Sequence, residues 1–239
     1  MELLDGDKIA VLLAAFVARC LEETKLALSL AVIQTSYANG AATRYLQANV
    51  PRATLACVAT GVKHLHHRAL DFDIGVYFEA NGHGTVLFSP AARTAISAAA
   101  ASPDAPLAAT QLQSLSELLN PAIGDALSDF LAALALLPLC NLTPQSWGAL
   151  YRDVPSRMTK VLVRDRSLVK TTPDEATVVS PEALQKCVDD AVAKVEGGRC
   201  FVRPSGTEDC VRVYAEGATQ ALADKLAEDV GVDVVRLLG

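Results

Sequence analysis

Aromatic residues are scarce: one Trp, five Tyr and six Phe are spread over 239 positions. A core must therefore be built from Ala, Leu and Val, and with half of the chain apolar there is ample material for it. That abundance excludes a mainly disordered chain. An excess of positive charge is also lacking. The formal charge of -6 argues against nucleic acid or an anionic membrane surface as the principal partner. An acidic chain binds an anion only through a local cluster of cations and backbone donors. Paired cysteines are missing as well: Cys20, Cys57, Cys140, Cys187, Cys200 and Cys210 form no Cys-x-x-Cys pair and no compact framework. They read as reduced, buried or half-buried thiols of a cytoplasmic protein. The apolar run Ile9–Ala18 falls far short of the roughly 20 residues that a membrane span requires. Asp5 and Asp7 ahead of it are unlike the positive start of a secretory leader, so a buried helix is the better reading.

Asp5 is placed as an N-cap for a helix over Gly6–Thr24, whose apolar residues lie nearly all round and call for cover on more than one side. Strands are expected at Leu28–Gln34, Ala53–Ala59 and Phe72–Phe78, with helices at Asn39–Ala48 and Val62–Leu70 between them. Alternation of helices with fully apolar strands predicts an α/β fold, a parallel or mixed sheet covered by helices on both faces. Ser89-Pro90, Thr143-Pro144 and Ser180-Pro181 each pair a hydroxyl cap with proline at the first helical position, announcing three helices. Ala91–Ala101 and Gly124–Leu137 read as helical, with a turn over Ser102–Pro106. From about Leu150 the pattern changes. Strands at Thr159–Arg164, Ala176–Val179, Cys200–Val202 and Cys210–Glu216, with helices at Glu182–Val195 and Thr219–Leu238, predict a smaller α+β domain with a mostly antiparallel sheet. The break at Gly148–Ser156 divides the chain into domains 1–149 and 150–239.

Arg203-Pro204-Ser205-Gly206-Thr207-Glu208-Asp209 lies between two predicted strands. Phosphate recognition needs convergent donors, and Arg203 supplies a two-pronged guanidinium, Ser205 and Thr207 hydroxyls, and Gly206 a backbone free to turn its N–H groups to the anion. Arg212 alternates away from Val211, Val213 and Ala215, so a valine face on the core leaves Arg212 on the open side. The competing reading is a polar hairpin in which Arg203 pairs with Glu208 or Asp209. Glu79-Ala80-Asn81-Gly82-His83-Gly84 follows a strand, at the end of an α/β sheet where ligands gather. Glu79 accepts hydroxyl hydrogen bonds, Asn81 donates and accepts, and His83 donates to an anion or moves a proton. A plain glycine-rich turn competes evenly with that. Thr60–His67 carries His64, His66 and His67, but no carboxylate or thiol completes a metal site in sequence, so a polar helix start with Lys63 near the ligand is preferred. Asp5 and Asp7 lack a third ligand, and capping accounts for Asp5, so a Mg²⁺ site is rejected there.

Leu4–Ala10, Gln34–Gly40, Thr60–His67, Phe72–Gly84 and Arg203–Tyr214 together resemble the α-D-phosphohexomutase superfamily. The form Glu79-Ala80-Asn81-Gly82-His83-Gly84 points within it to the phosphoacetylglucosamine mutases, since glucose- and mannose-phosphate mutases usually carry serine where Asn81 stands. The resemblance spans nearly the whole chain and corresponds to the third and fourth domains of that family. It implies sugar recognition by Gly61, Val62, Lys63, Glu79, Asn81, Gly82 and His83. It likewise implies that Arg203, Ser205, Gly206, Thr207 and Arg212 hold the phosphate that is not reacting. The implied reaction is an isomerisation of N-acetylglucosamine 6-phosphate to the 1-phosphate, serving UDP-GlcNAc biosynthesis, with a phosphoserine and Mg²⁺. Nothing here resembles the phosphoserine loop or the three-aspartate metal loop, which belong to the family's first two domains. The resemblance therefore assigns no catalytic or metal-binding residue to this chain and implies that it is inactive alone, the missing N-terminal domains acting in cis or in trans. The alternative is a non-catalytic sugar-phosphate-binding or regulatory protein.

Overall fold

The computed structural model describes residues 3–120 and 122–239, so the first two positions of the predicted α/β domain fall outside it. The chain forms two compact units, which meet in sequence at Arg152 and Asp153.

In the first unit, helix α1 (Gly6–Thr24) starts where Asp5 Oδ1 accepts the Lys8 N–H at 3.0 Å. Leu12, Leu13, Phe16, Val17 and Leu21 are all buried, so α1 is covered around its circumference as expected. Strands β1 (Leu30–Thr35), β2 (Ala53–Val58) and β3 (Ile74–Phe78) alternate with α2 (Gly40–Asn49) and α3 (Val62–Ala69). A further strand, β4 (Gly84–Phe88), pairs antiparallel with β3 and completes a mixed sheet of order β2-β1-β3-β4. Leu30 and Val32 pack with α1 on one face, while Ala31 and Ile33 pack with Leu65 and Ala69 of α3 on the other.

Two expectations change here. The sequence reading missed β4, because its residues hide behind a glycine-rich stretch read only as loop. And β2 is not fully covered: as an edge strand it is only half-buried, which leaves Cys57 exposed rather than in the core. All six cysteines are thiols rather than disulfides.

The unit continues with α4 (Pro90–Ala100), α5 (Leu107–Leu118), α6 (Ala126–Leu139) and α7 (Pro144–Gly148). Ser89 and Thr143 cap α4 and α7 as expected. Helix α5 was not expected: Pro106 holds its cap position without a side-chain acceptor, so no hydroxyl announced it.

In the second unit, β5 (Ser156–Leu162), β6 (Lys170–Thr171), β7 (Val178–Ser180), α8 (Glu182–Val192), β8 (Arg199–Pro204), β9 (Cys210–Glu216) and α9 (Gln220–Leu238) follow in order. The main sheet has the order β5-β9-β8 and is antiparallel throughout. Val202, Val211, Val213 and Ala215 bury one face in a core shared with Leu226, Val230 and Val234 of α9. β7 leaves that sheet and forms a small hairpin with β6. Ser180 is not a cap: its backbone pairs with Lys170 in that hairpin, and Pro181, after a cis peptide bond, takes the cap position with no side-chain hydrogen bond. No helix among the described residues is long and apolar enough to cross a membrane.

Candidate functional site

The first candidate loop is the turn between β3 and β4. Glu79 N–H donates to His83 O at 2.8 Å and Gly82 N–H donates to Glu79 O at 2.8 Å, with Gly82 in the left-handed region at φ 91°. A side chain at Gly82 would be strained there. Asn81 Oδ1 accepts the His83 N–H at 2.9 Å and lies 2.9 Å from His83 Nδ1, while its amide lies 3.4 Å from Glu79 Oε2. Oδ1 can only accept, so the proton sits on Nδ1, and a neutral His83 keeps Nε2 as an acceptor. Glu79 Oε1 accepts the Gly61 N–H at 3.1 Å, joining this turn to the start of α3. Gly61, at φ 125°, is the cap residue of α3, and Val62 and Lys63 follow it on the exposed side. The structure thus brings Gly61, Glu79, Asn81, Gly82 and His83 together through hydrogen bonds and leaves Val62 and Lys63 beside them. Gly6 supports the turn from below: its N–H donates to Ala80 O at 3.2 Å, and a Cβ there would stand 1.9 Å from Glu79 O.

His66, Asp5 and Asp7 nearby are engaged elsewhere. His66 Nδ1 lies 2.9 Å from the Tyr77 hydroxyl. Asp5 caps α1, and Asp7 Oδ2 accepts the Asn39 N–H at 2.8 Å. Among the described residues no group of three or more His, Cys, Asp or Glu is placed to hold a metal ion. These residues do not fit a Mg²⁺ site.

The second candidate loop joins β8 to β9. Ser205 is buried: its N–H donates to Cys210 O at 2.9 Å, and its Oγ lies 3.5 and 3.4 Å from the N–H groups of Thr207 and Glu208. The hydroxyl expected to face an anion thus also shapes the turn. Gly206 departs from expectation. Its φ is not in the left-handed region, and open space lies where a Cβ would stand, so the fold does not require glycine there.

Arg203, Arg212 and Lys160 are directly opposed across β8, β9 and β5 and therefore share one face. The Arg203 Nε stands 2.8 Å from Glu175 Oε2. Glu208 instead meets Lys160 at 2.7 Å and Arg212 at 3.3 Å. The Lys160 ammonium, with Arg212 behind it, holds the Glu208 carboxyl below its ordinary range. Sequence reading missed Lys160 and Glu175. Strand register places the first, and a turn with Glu175 at φ 59° places the second.

Residues 5–142 match the family model described as phosphoacetylglucosamine mutase AMG1, domain III. The chain belongs to the phosphoacetylglucosamine mutase family. Residues 158–231 match the C-terminal domain of phosphoglucomutases and phosphomannomutases. Over 239 residues the chain is 50% identical to the phosphoacetylglucosamine mutase of Homo sapiens, a match covering 99% of this chain and 44% of the human protein. The Candida albicans phosphoacetylglucosamine mutase is 47% identical over 233 residues, covering 96% of this chain and 43% of the relative. The crystal structure of Aspergillus fumigatus N-acetylphosphoglucosamine mutase, in complex with GlcNAc-6P and magnesium, superposes with a TM-score of 0.94 at 44% identity, covering 100% of this chain and 45% of that one. A substrate complex of N-acetylglucosamine-phosphate mutase gives 0.91 at 46% identity, covering 98% and 44%. The chain therefore spans under half the length of the phosphoacetylglucosamine mutases it matches.

Proposed function

We propose that this chain supplies sugar and phosphate recognition for a mutase that interconverts N-acetylglucosamine 6-phosphate and the 1-phosphate. The observation that carries the reading is half-identity over 239 residues to a phosphoacetylglucosamine mutase, supported by relatives solved with GlcNAc-6P or in a substrate complex.

In this reading residues 1–149 form the sugar-binding domain and residues 150–239 the phosphate-binding domain. Glu79 accepts from hexose hydroxyls, Asn81 offers a donor and an acceptor, and His83 contributes a ring nitrogen, with Gly61, Val62, Lys63 and Gly82 alongside. Arg203 and Arg212 present guanidinium groups to the phosphate that is not reacting, and Ser205, Gly206 and Thr207 add backbone and hydroxyl donors. Binding energy spent on this remote phosphate positions the sugar for chemistry elsewhere. No nucleophile is assigned to this chain. A phosphoserine and Mg²⁺, supplied by domains in cis or in trans, would carry the phosphoryl transfer, and the setting would be cytoplasmic UDP-GlcNAc biosynthesis.

Calorimetric titration of the chain with N-acetylglucosamine 6-phosphate tests the reading. Binding that Arg203→Ala abolishes is the expected result, and equal binding by that variant would sink it.

A further inference from the structure

Lys160, Arg212 and Arg203 stand side by side on one face of the second sheet. Directly opposed residues of antiparallel strands have Cβ atoms about 5 Å apart, so like charges there repel unless an anion lies between them. Glu208 is such an anion. Its Oε1 is 2.7 Å from Lys160 Nζ and its Oε2 is 3.3 Å from Arg212 Nη2. One oxygen on each of two cations is how an oxyanion is gripped. Glu208 also belongs to the very turn whose backbone and hydroxyl donors surround the candidate phosphate position.

The two carboxylates of this row differ in their hold. Glu175 and Arg203 are both largely buried, with side chains 17% and 12% exposed, so their pair is shielded from water. Lys160 and Glu208 are 42% and 45% exposed, and an ion pair so open to water is weak and easily exchanged. Arg166 steadies the backbone while that happens: its Nη1 donates to Glu208 O at 2.6 Å. On leaving, the Glu208 side chain gives up the Lys160 and Arg212 cations and a 3.8 Å contact from Cys210 Sγ, while the loop backbone stays held. A phosphate monoester carries close to two negative charges and three acceptor oxygens, against one charge and two oxygens for a carboxylate.

We propose that Lys160 is a further ligand of the phosphate group, and that Glu208 is an internal stand-in for that group which the arriving phosphate displaces. The inference rests on reading the Arg203–Arg212 loop as a phosphate site. It makes the loop self-neutralised when empty, and it makes affinity a contest between two anions for the same cations.

The test is calorimetric titration of the whole chain with N-acetylglucosamine 6-phosphate at low salt, with melting temperatures to confirm folding. Glu208→Gln is expected to bind about tenfold more tightly, Lys160→Ala about tenfold more weakly, and Lys160→Arg close to wild type. A merely structural role for the Lys160–Glu208 pair makes Glu208→Gln and Lys160→Ala alike in effect; opposite signs exclude that. Unchanged or weaker binding by Glu208→Gln overturns the stand-in, and unchanged binding by Lys160→Ala overturns the ligand role, in both cases with Arg203→Ala still losing affinity. If wild type does not bind, or Arg203→Ala binds as well as wild type, the phosphate-site reading itself fails.

Discussion

The two candidate loops are both glycine-bearing turns between neighbouring antiparallel strands, yet different forces shape them. In the first unit the backbone dictates the turn: Gly82 needs a left-handed conformation, and Gly6 leaves room for Glu79 O. The Asn81 Oδ1, which accepts the His83 N–H and lies 2.9 Å from its Nδ1, then fixes the side chains. In the second unit Gly206 is under no such constraint, and ion pairs from Lys160, Arg212 and Arg203 to two glutamates hold the charged groups. A backbone-determined turn offers fixed donors and acceptors, which suits a hydroxyl-rich ring. A charge-determined loop trades one anion for another, which suits phosphate. The same residue type in two motifs thus stands under a backbone demand at Gly82 and under none at Gly206.

Substitutions at these glycines test the contrast directly. Gly6→Ala carries the largest expected effect. It drives a methyl group into a carbonyl and is expected to cost about 3 kcal/mol, read from the midpoint of chemical denaturation. A loss under 1 kcal/mol would mean that the hairpin is not backbone-determined.

Charge gives a second contrast, because the first unit buries a carboxylate without the partners found in the second. Asp129 of α6 is buried, and its Oδ1 has no hydrogen-bond partner. Burial first, and the Asp125 charge second, push it up to about 7 from an ordinary 3.8. The folded state therefore holds a proton that the unfolded state releases at lower pH. Stability is expected to fall as pH rises from about 4 to about 7 and to level off above that. Asp129→Asn should flatten that slope and raise stability at pH 8 by on the order of 2 kcal/mol, measured by urea melts across pH. An unchanged slope would contradict the assignment.

Gly82→Ala should cost about 1 kcal/mol through its backbone alone. Gly206→Ala closes the series: stability should stay within about 0.5 kcal/mol of wild type, because its side chain enters open space. Its phosphate affinity should nonetheless drop, since on the proposed reading the anion approaches through that space. Equal stability losses at Gly82 and Gly206 would erase the distinction between the loops.

Much of this was legible in the sequence where the signal is local. Asp5, Ser89 and Thr143 cap their helices through side chains as read, while Asn39 and Thr219, read as the first helical residues, turn out to be caps as well. Helix α5 was hidden because Pro106 offers no acceptor. Strand β4 was hidden because a glycine-rich approach reads as loop, and Ser180 misled because a hydroxyl before proline looks the same at the end of a strand as at a cap. For the candidate site, Glu79, Asn81, His83, Arg203 and Arg212 announced themselves by motif. Lys160 and Glu175 did not, since register between distant strands and the aim of a left-handed turn residue are set by tertiary pairing and leave no local pattern.

The central claim is that the loop of Ser205–Asp209, with its row of cations, receives a phosphate group. Amide and arginine side-chain NMR spectra of the chain, recorded while inorganic phosphate is added, test it most directly. The account predicts shifts that saturate and concentrate on the amides of Ser205, Gly206, Thr207 and Glu208 and on the side chains of Arg203 and Arg212. Shifts scattered over the exposed lysines of the helices, such as Lys186 and Lys225, with that loop unmoved, would contradict it.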